Sequence, residues 1–475
     1  MDRKLIADMN CPYCAGTFHI AKDCRGDAQR IRYGVLECRC FQFPIVDGVL
    51  LLSLSKAYGG AEEDLQPYVP LQVAAIRHLQ KDDVPGLLSW MRRHMPLAAE
   101  LIDGRAGAYL PFCARMNQAL TIAEARYLAE SARHEVLGHR PRLYGVRKWA
   151  RRFNLRKTPL GAVLNSYFIS RFFAPRVNTL AMQLGQLPLD GRILSLCCGQ
   201  GIFENLLAAD GRNREVVCLD GQFINLLITR QYVCPQGSFI CHDVQFPLPF
   251  NDGSFDGVFS STCLPEIPAQ RTFAREAIRV TRDSGWTFFD SVWGLANSVK
   301  RIDPKRHYRF CQNFFTRIED YLPFFESCAP AGREVAIDIP AMPDAYYGAP
   351  RWLRGEARAA AVAEGKDTEI SVLVTDPQRF RGFTTPHRPW LNARHLAVSP
   401  VFETTREAGG IRVTLRPSFA KTSIDFAAKS FAGYPQTALL ETAKAQDPQW
   451  VEQQFNTGML ALLPTHFDEV LQRLQ

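Results

Sequence analysis

Arg192-Ile193-Leu194-Ser195-Leu196-Cys197-Cys198-Gly199-Gln200-Gly201 is the stretch that decides the fold, together with the run Phe203-Glu204-Asn205-Leu206-Leu207-Ala208-Ala209 just beyond it. Its first five residues form a short apolar run that reads as a buried strand. The two glycines of the turn carry no Cβ, so the backbone there can come close to a ligand. The apolar run that follows favours a helix, whose first N–H groups lack partners and face whatever lies over the turn. Strand, turn and helix together make a cradle for a nucleotide.

A second strand, Glu215 to Leu219, ends on Asp220, 19 residues after Gly201. At that distance an acid meets ribose hydroxyls in folds of this kind, and the spacing suits NAD equally well. The dinucleotide fingerprint, however, asks for a third glycine where this chain has Glu204, which weakens the nicotinamide reading.

The downstream residues are more specific. Ser238 to Val244 reads as a third strand, and Leu248 to Asp256 leads into a fourth at Gly257 to Ser260. A helix holding Glu276, Arg279 and Val280 then precedes Asp283-Ser284-Gly285-Trp286 and a fifth strand, Thr287 to Asp290. Strands alternating with helices predict an α/β protein with a parallel sheet. The strings LPFNDGSFDGV (248–258) and EAIRVTRDSGW (276–286) closely resemble the LPFxDxSFDxV and ExxRVLKPGG patterns of S-adenosylmethionine-dependent methyltransferases, in the branch that includes the ubiquinone and menaquinone enzymes. Phe314 to Phe325 resembles the helix before that family's sixth strand, Glu334 to Ile339 the sixth strand and Glu369 to Val374 the seventh.

The resemblance implies a Rossmann-like core and a set of site residues. Ser195, Cys197, Cys198, Gly199, Gln200 and Gly201 would cradle the methionine part of S-adenosylmethionine. Asp220, with Gly221 and Gln222, would hold the ribose, Asp243 and Val244 the adenine, and Ser260 would lie near the sulfonium. Glu266, where relatives often have a histidine, and Asp290 are the candidates for a catalytic base, needed only if the acceptor is a hydroxyl or an acidic carbon. Two positions depart from the pattern: Ser195 stands where an acid is usual, and Cys197 replaces the first turn glycine.

Near the N-terminus, Cys11-Pro12-Tyr13-Cys14 and Cys38-Arg39-Cys40 present two close thiol pairs. Each follows an expected strand, Lys4 to Ala7 and Tyr33 to Glu37, with another at Thr17 to Ile20. Two such knuckles supply the four soft ligands of structural zinc, making Cys11, Cys14, Cys38 and Cys40 the candidate metal set. The run from Phe43 to Leu52 resembles the YPIxDGIPxLL ending of the small zinc-ribbon activators that partner RNA and protein methyltransferases. The second pair is C-x-C rather than C-x-x-C, so Cys24 is an alternative ligand.

With 475 residues, 47% hydrophobic and 22% charged, the chain is an ordinary globular protein long enough for about three domains. We divide it into a zinc-ribbon-like domain (1–55), a linker and helical region (56–165), the methyltransferase core (166–378) and a C-terminal α+β accessory region (379–475). Helical spacing at Leu71 to Leu79, Gly86 to Met95 and Ile122 to Leu137 predicts helices that cap the site or join the domains; joining is favoured. No apolar run reaches the roughly 18 residues of a membrane span. The 14 cysteines read as reduced thiols in a cytoplasmic protein. A net charge of +8 does not argue for nucleic acid by itself.

Two segments bear on the substrate. The aromatics Tyr346, Tyr347 and Trp352 lie in an insertion that could wall a pocket or merely pack. Arg140 to Lys157 holds eight Lys or Arg residues interleaved with Tyr144, Trp149 and Phe153, a candidate contact for an anionic partner. Trp149 and Phe153 at i, i+4 favour instead a docked amphipathic helix with a solvated basic face. His395 to Glu403 and Gly410 to Leu415 read as a hairpin followed by helices. The leading function is methylation of a small-molecule or peptide-derived metabolite. Methylation of ribosomal or transfer RNA is the alternative, and an inactive methyltransferase-like binding protein the second. Oligomeric state is not legible. If the basic face is merely solvated, replacing Arg147, Lys148, Arg151 and Arg152 by Gln leaves turnover nearly intact, because exposed charges contribute little. A loss of more than about tenfold in nucleic-acid affinity, with a shallower salt dependence, would favour RNA instead.

Overall fold

The computed structural model describes residues 1–53, 68–107, 175–209, 214–267, 269–292, 318–339, 352–364, 369–378, 396–399, 401–415 and 434–462. Helix α1 (Arg3–Ala7) opens the chain, followed by strands β1 (His19–Gly26), β2 (Ile31–Glu37), β3 (Gln42–Val46) and β4 (Val49–Leu51). Helices α2 (Tyr68–Gln80), α3 (Val84–His94), α4 (Pro96–Ile102) and α5 (Pro175–Leu184) come next. The core then runs β5 (Arg192–Leu196), α6 (Ile202–Ala209), β6 (Glu215–Asp220), α7 (Phe223–Ile228), β7 (Ser238–Cys241), β8 (Phe255–Ser261), α8 (Gln270–Arg279) and β9 (Thr281–Val292). It closes with α9 (Tyr321–Cys328), β10 (Glu334–Asp338), α10 (Gly355–Glu364) and β11 (Ile370–Thr375).

These eleven strands form one sheet in the order β1-β2-β3-β4-β7-β6-β5-β8-β9-β11-β10. The strands from β7 to β9 are parallel, with β11 and β10 antiparallel beyond them. Side chains of β5 alternate between the two faces. Ile193 packs with Phe203, Leu206 and Leu207 of α6, whereas Leu194 and Leu196 share the other face with Phe273 and Ile278 of α8. This is the Rossmann-like α/β arrangement that the strand and helix order predicts.

The two strings that carried the resemblance are clasped together. Glu276 accepts the Leu248 amide at 2.7 Å, and Arg279 donates to the Phe250 carbonyl at 2.8 Å and to Asp252 at 2.7 Å. Gly257 is required by packing, because a Cβ there would sit 2.2 Å from the Trp286 ring.

The N-terminal strands are continuous with the core. β4 pairs in parallel with β7, Val49 opposite Phe239 and Leu51 opposite Cys241, and the Leu52 and Ser53 amides both donate to the Cys241 carbonyl. Asp47, buried in the β3–β4 turn, pairs with Arg32 and with Arg230 of the π-helical turn Thr229–Val233. Helix α2 covers β2 and β3 with α3 packed beside it, and their Leu71, Leu79, Leu87 and Met91 share one apolar cluster with Leu226 and Leu227 of α7. The described helices of this segment therefore pack on both the N-terminal strands and the core.

Several expectations are corrected. Lys4 to Ala7 is helical, not a strand, because Asp2 caps the Lys4 amide at 2.8 Å and a helical turn buries the adjacent Leu5 and Ile6 together. The strand expected at Thr17 to Ile20 runs instead from His19 to Gly26, an outer strand with irregular register and mostly exposed side chains, so no alternation marks it. Asp283 to Gly285 lies inside β9 rather than in a turn before it. In the C-terminal region the hairpin joins β13 (Phe402–Glu407) to β14 (Gly410–Leu415), while β12 (Leu396–Val398) pairs with β16 (Leu460–Leu462). The residues expected to be helical include β15 (Thr437–Glu441) as well as α11 (Pro448–Asn456). The helix expected at Ile122 to Leu137, the basic stretch Arg140 to Lys157, and Tyr346, Tyr347 and His395 lie outside the described residues.

Candidate functional site

The turn after β5 reverses sharply, with positive φ at Cys197 (54°), Gly199 (55°) and Gly201 (88°). A β-carbon on Gly201 would press on Thr229 Cγ2 at 2.9 Å, so that glycine serves helix packing. A β-carbon on Gly199 would meet nothing within 4 Å, which leaves the backbone open on that side. Cys197 adopts the left-handed conformation despite its side chain, at a cost of about 1–2 kcal/mol.

The turn is pinned to its neighbours. Asp220 Oδ2 accepts the Gly199 amide at 2.9 Å, the Leu219 carbonyl accepts Cys198 N at 3.2 Å, and Thr229 Oγ1 donates to the Gly199 carbonyl at 3.1 Å. Asp220 Oδ1 takes the Gln222 amide at 2.8 Å and Asn225 Nδ2 at 3.3 Å, and burial pushes its carboxyl above the ordinary range. Thus Cys197, Cys198, Gly199, Gln200, Gly201, Asp220, Gly221 and Gln222 meet at adjacent strand ends. Asp243 lies just past β7 and accepts the Gln245 amide at 3.0 Å, with Val244 buried beside it. His242 is fully buried, its Nε2 is 3.0 Å from the Pro247 carbonyl, and burial lowers it to about 4, so it is neutral at physiological pH.

Several buried polar groups here are unsatisfied. Ser195 Oγ, Ser260 Oγ and both carboxylate oxygens of Glu204 have no hydrogen-bond partner. Ser195 and Cys218 come near Glu204 without completing a bond, and burial raises its carboxyl to about 7. Orphaned polar atoms under an open turn are what a site for a polar ligand contains, so these residues fit S-adenosylmethionine.

At the ends of β8 and β9, Asp290 accepts Ser261 Oγ at 2.6 Å and Ser371 Oγ at 3.2 Å, while its carbonyl takes the Thr262 amide at 2.9 Å. Thr262 and Ser291 are left-handed at φ 57° and 61°, the kind of strain that collects at functional strand ends. Glu266 closes a short 3₁₀ turn, Leu264–Glu266, and its side chain lies outside the described residues. Trp352 packs edge-on against Phe288 with ring centres 5.6 Å apart. Sequence reading missed Ser371 and Thr229. Ser371 reaches the site from β11, far along the chain, and no local signal marks it.

The four N-terminal thiols converge as well. The sulfurs of Cys11, Cys14, Cys38 and Cys40 lie within 4.8 Å of one another, with Cys11–Cys40 at 3.6 Å, Cys14–Cys38 at 3.7 Å and Cys38–Cys40 at 3.3 Å. Tetrahedral zinc with sulfur at about 2.3 Å separates its ligands by about 3.8 Å, close to this arrangement. Cys24 stands apart and gives its thiol to the Leu79 carbonyl at 3.0 Å. Tyr13, between the first two cysteines, donates to the Leu52 carbonyl at 3.0 Å and contacts the His242 and Phe246 rings, which ties the cluster to the end of β7.

Residues 194–289 match the family described as "Methyltransferase domain". Among solved structures, a SAM-dependent methyltransferase from Thermotoga maritima is 17% identical, over 49% of this chain and 97% of its own, with a TM-score of 0.32. Phosphoethanolamine N-methyltransferase 2 of Haemonchus contortus is 16% identical over 48% of this chain and 60% of its own, at a TM-score of 0.31. A SAM-dependent methyltransferase from Aquifex aeolicus is 14% identical over 45% of this chain and 96% of its own, at 0.29. A comparison with curated proteins finds no match. The family match and the sheet order agree: residues 194–289 match a methyltransferase domain and lie on a Rossmann-like sheet. Among the described residues no helix is long and apolar enough to cross a membrane.

The folded state holds a proton on Glu204 between about pH 4.5 and 7, where the unfolded chain does not, so wild-type stability falls as pH rises through that window. Glu204→Gln removes this loss and is more stable than wild type at pH 8 by up to about 3 kcal/mol, with the difference vanishing near pH 4.5. Urea denaturation at the two pH values measures it; a difference independent of pH would contradict the assignment.

Proposed function

We propose that this enzyme transfers a methyl group from S-adenosylmethionine to a small-molecule or peptide-derived metabolite. The observation that carries this reading is the charge of the site. Glu204, Asp220, Asp243 and Asp290 supply acids, whereas the described strand-end segments 197–203, 220–223, 242–246, 260–267 and 290–292 hold no Lys or Arg. An RNA acceptor would bring phosphates to this rim, and nucleic-acid sites meet phosphates with cations. A small neutral or cationic acceptor suits it better.

In this reading Cys197 to Gly201, with Ser195 behind them, form the cradle for the methionine part. Asp220 keeps lone pairs for the ribose hydroxyls beside Gly221 and Gln222, Asp243 and Val244 flank the adenine, and Ser260 lies by the sulfonium. The bound donor supplies an activated methyl group, and the protein contributes orientation and exclusion of water. Asp290, held by Ser261 and Ser371, takes a proton of the acceptor in this reading, with Glu266 the other candidate. Cys197 completes the turn without glycine, which supports the active reading over an inert binding protein.

We further propose one structural zinc on Cys11, Cys14, Cys38 and Cys40, in a cytoplasmic enzyme whose thiols stay reduced. Elemental analysis should find about one zinc per chain, since small ribbons draw much of their folding energy from the metal. Less than about a tenth of an equivalent with the segment still folded removes the assignment. For the substrate, labelled methyl donor is incubated with small-molecule, RNA and protein pools. Label is expected in the small-molecule or peptide pool, and label confined to RNA overturns the reading.

A further inference from the structure

The described acids at the ligand end of the sheet differ in one respect. Asp220 has both oxygens engaged by backbone amides, Asp243 accepts the Gln245 amide, and Asp290 accepts two hydroxyls. Glu204 alone among these four has neither oxygen bonded, although it is completely buried in the first turn of α6. A buried carboxyl that completes no hydrogen bond is costly to the fold unless something satisfies it.

The ligand of this site has the matching group. The amino-acid part of S-adenosylmethionine carries a carboxylate and, one carbon away, an ammonium. Free N–H groups at the start of α6 suit the carboxylate. An ammonium held beside them in a low-dielectric interior needs an anion within a few ångströms. We propose that Glu204 is that anion, receiving the donor's ammonium beneath the turn after β5; this rests on the methyltransferase reading above.

The surroundings agree. Ser195 of β5, Cys198 of the turn, and Cys218 and Asp220 of β6 face the carboxyl, and Cys234 past the π-helical turn acts on Cys198 beside it. Burial, with Asp220 adding to it, works against ionisation of Glu204, so the free enzyme keeps the group about half protonated near neutrality and an arriving cation shifts the balance to the carboxylate. The proton leaves to solvent as the ion pair forms. Binding therefore tightens as pH rises.

Calorimetry with two probes tests this on the full chain. S-adenosylhomocysteine carries the ammonium and does not react, whereas 5′-methylthioadenosine lacks the amino-acid part. At pH 8, Glu204→Gln weakens S-adenosylhomocysteine by about tenfold and leaves 5′-methylthioadenosine unchanged, the scale expected for one charged hydrogen bond. Wild-type affinity for the first probe rises from pH 6 to pH 8, and that of the variant does not. Unchanged affinity for S-adenosylhomocysteine, or equal weakening of both probes, overturns the proposal by reducing Glu204 to a packing residue. Wild-type protein that binds neither probe would bring down the methyltransferase reading itself, and the assignment with it.

Discussion

The bond from the Gly199 amide to the Asp220 carboxylate is the constraint on which the site depends, because it fixes the turn after one strand to the end of the next. A turn with three left-handed residues has no regular ladder to hold it. Asp220 supplies the missing acceptor, and Thr229 holds the opposite face of the same peptide through the Gly199 carbonyl. The side of Gly199 left without contacts is thus a preformed opening rather than slack.

That constraint reaches the N-terminal segment. Thr229 begins the π-helical turn whose next residue, Arg230, pairs with the buried Asp47 of the β3–β4 turn. β4 continues the core sheet along β7, and Tyr13 of the thiol cluster leans on His242 where β7 ends. The cysteine cluster and the nucleotide end of the sheet are therefore parts of one packed unit. Without β4, the β7 edge would expose unpaired backbone groups next to Asp243.

A conflict between stability and ligand chemistry is built into the interior. Glu204 is a poor residue for folding, since burial holds its carboxyl near 7 and neither oxygen completes a hydrogen bond. Natural chains keep such groups where a ligand or a reaction uses them. The strained Thr262 and Ser291 around Asp290 have the same character at the next strand ends.

What the sequence by itself determined is local and periodic. The buried strands β5 to β8 show as apolar runs, the glycine turn shows by its residues, and the two long strings show by their order, because each is specified by neighbours a few residues apart. The cysteine spacing likewise named the four thiols that the fold gathers. Sequence failed where partners are distant. The outer strand β1 carries no alternation because it is mostly exposed, and β12 finds its partner in β16 rather than in the nearby hairpin. Only the tertiary structure decided that β4 extends the core sheet, that Ser371 of β11 reaches Asp290, and that Glu204 is left without a bond. Satisfaction of a buried polar group depends on every element packed around it, and that information exists only once the chain has folded.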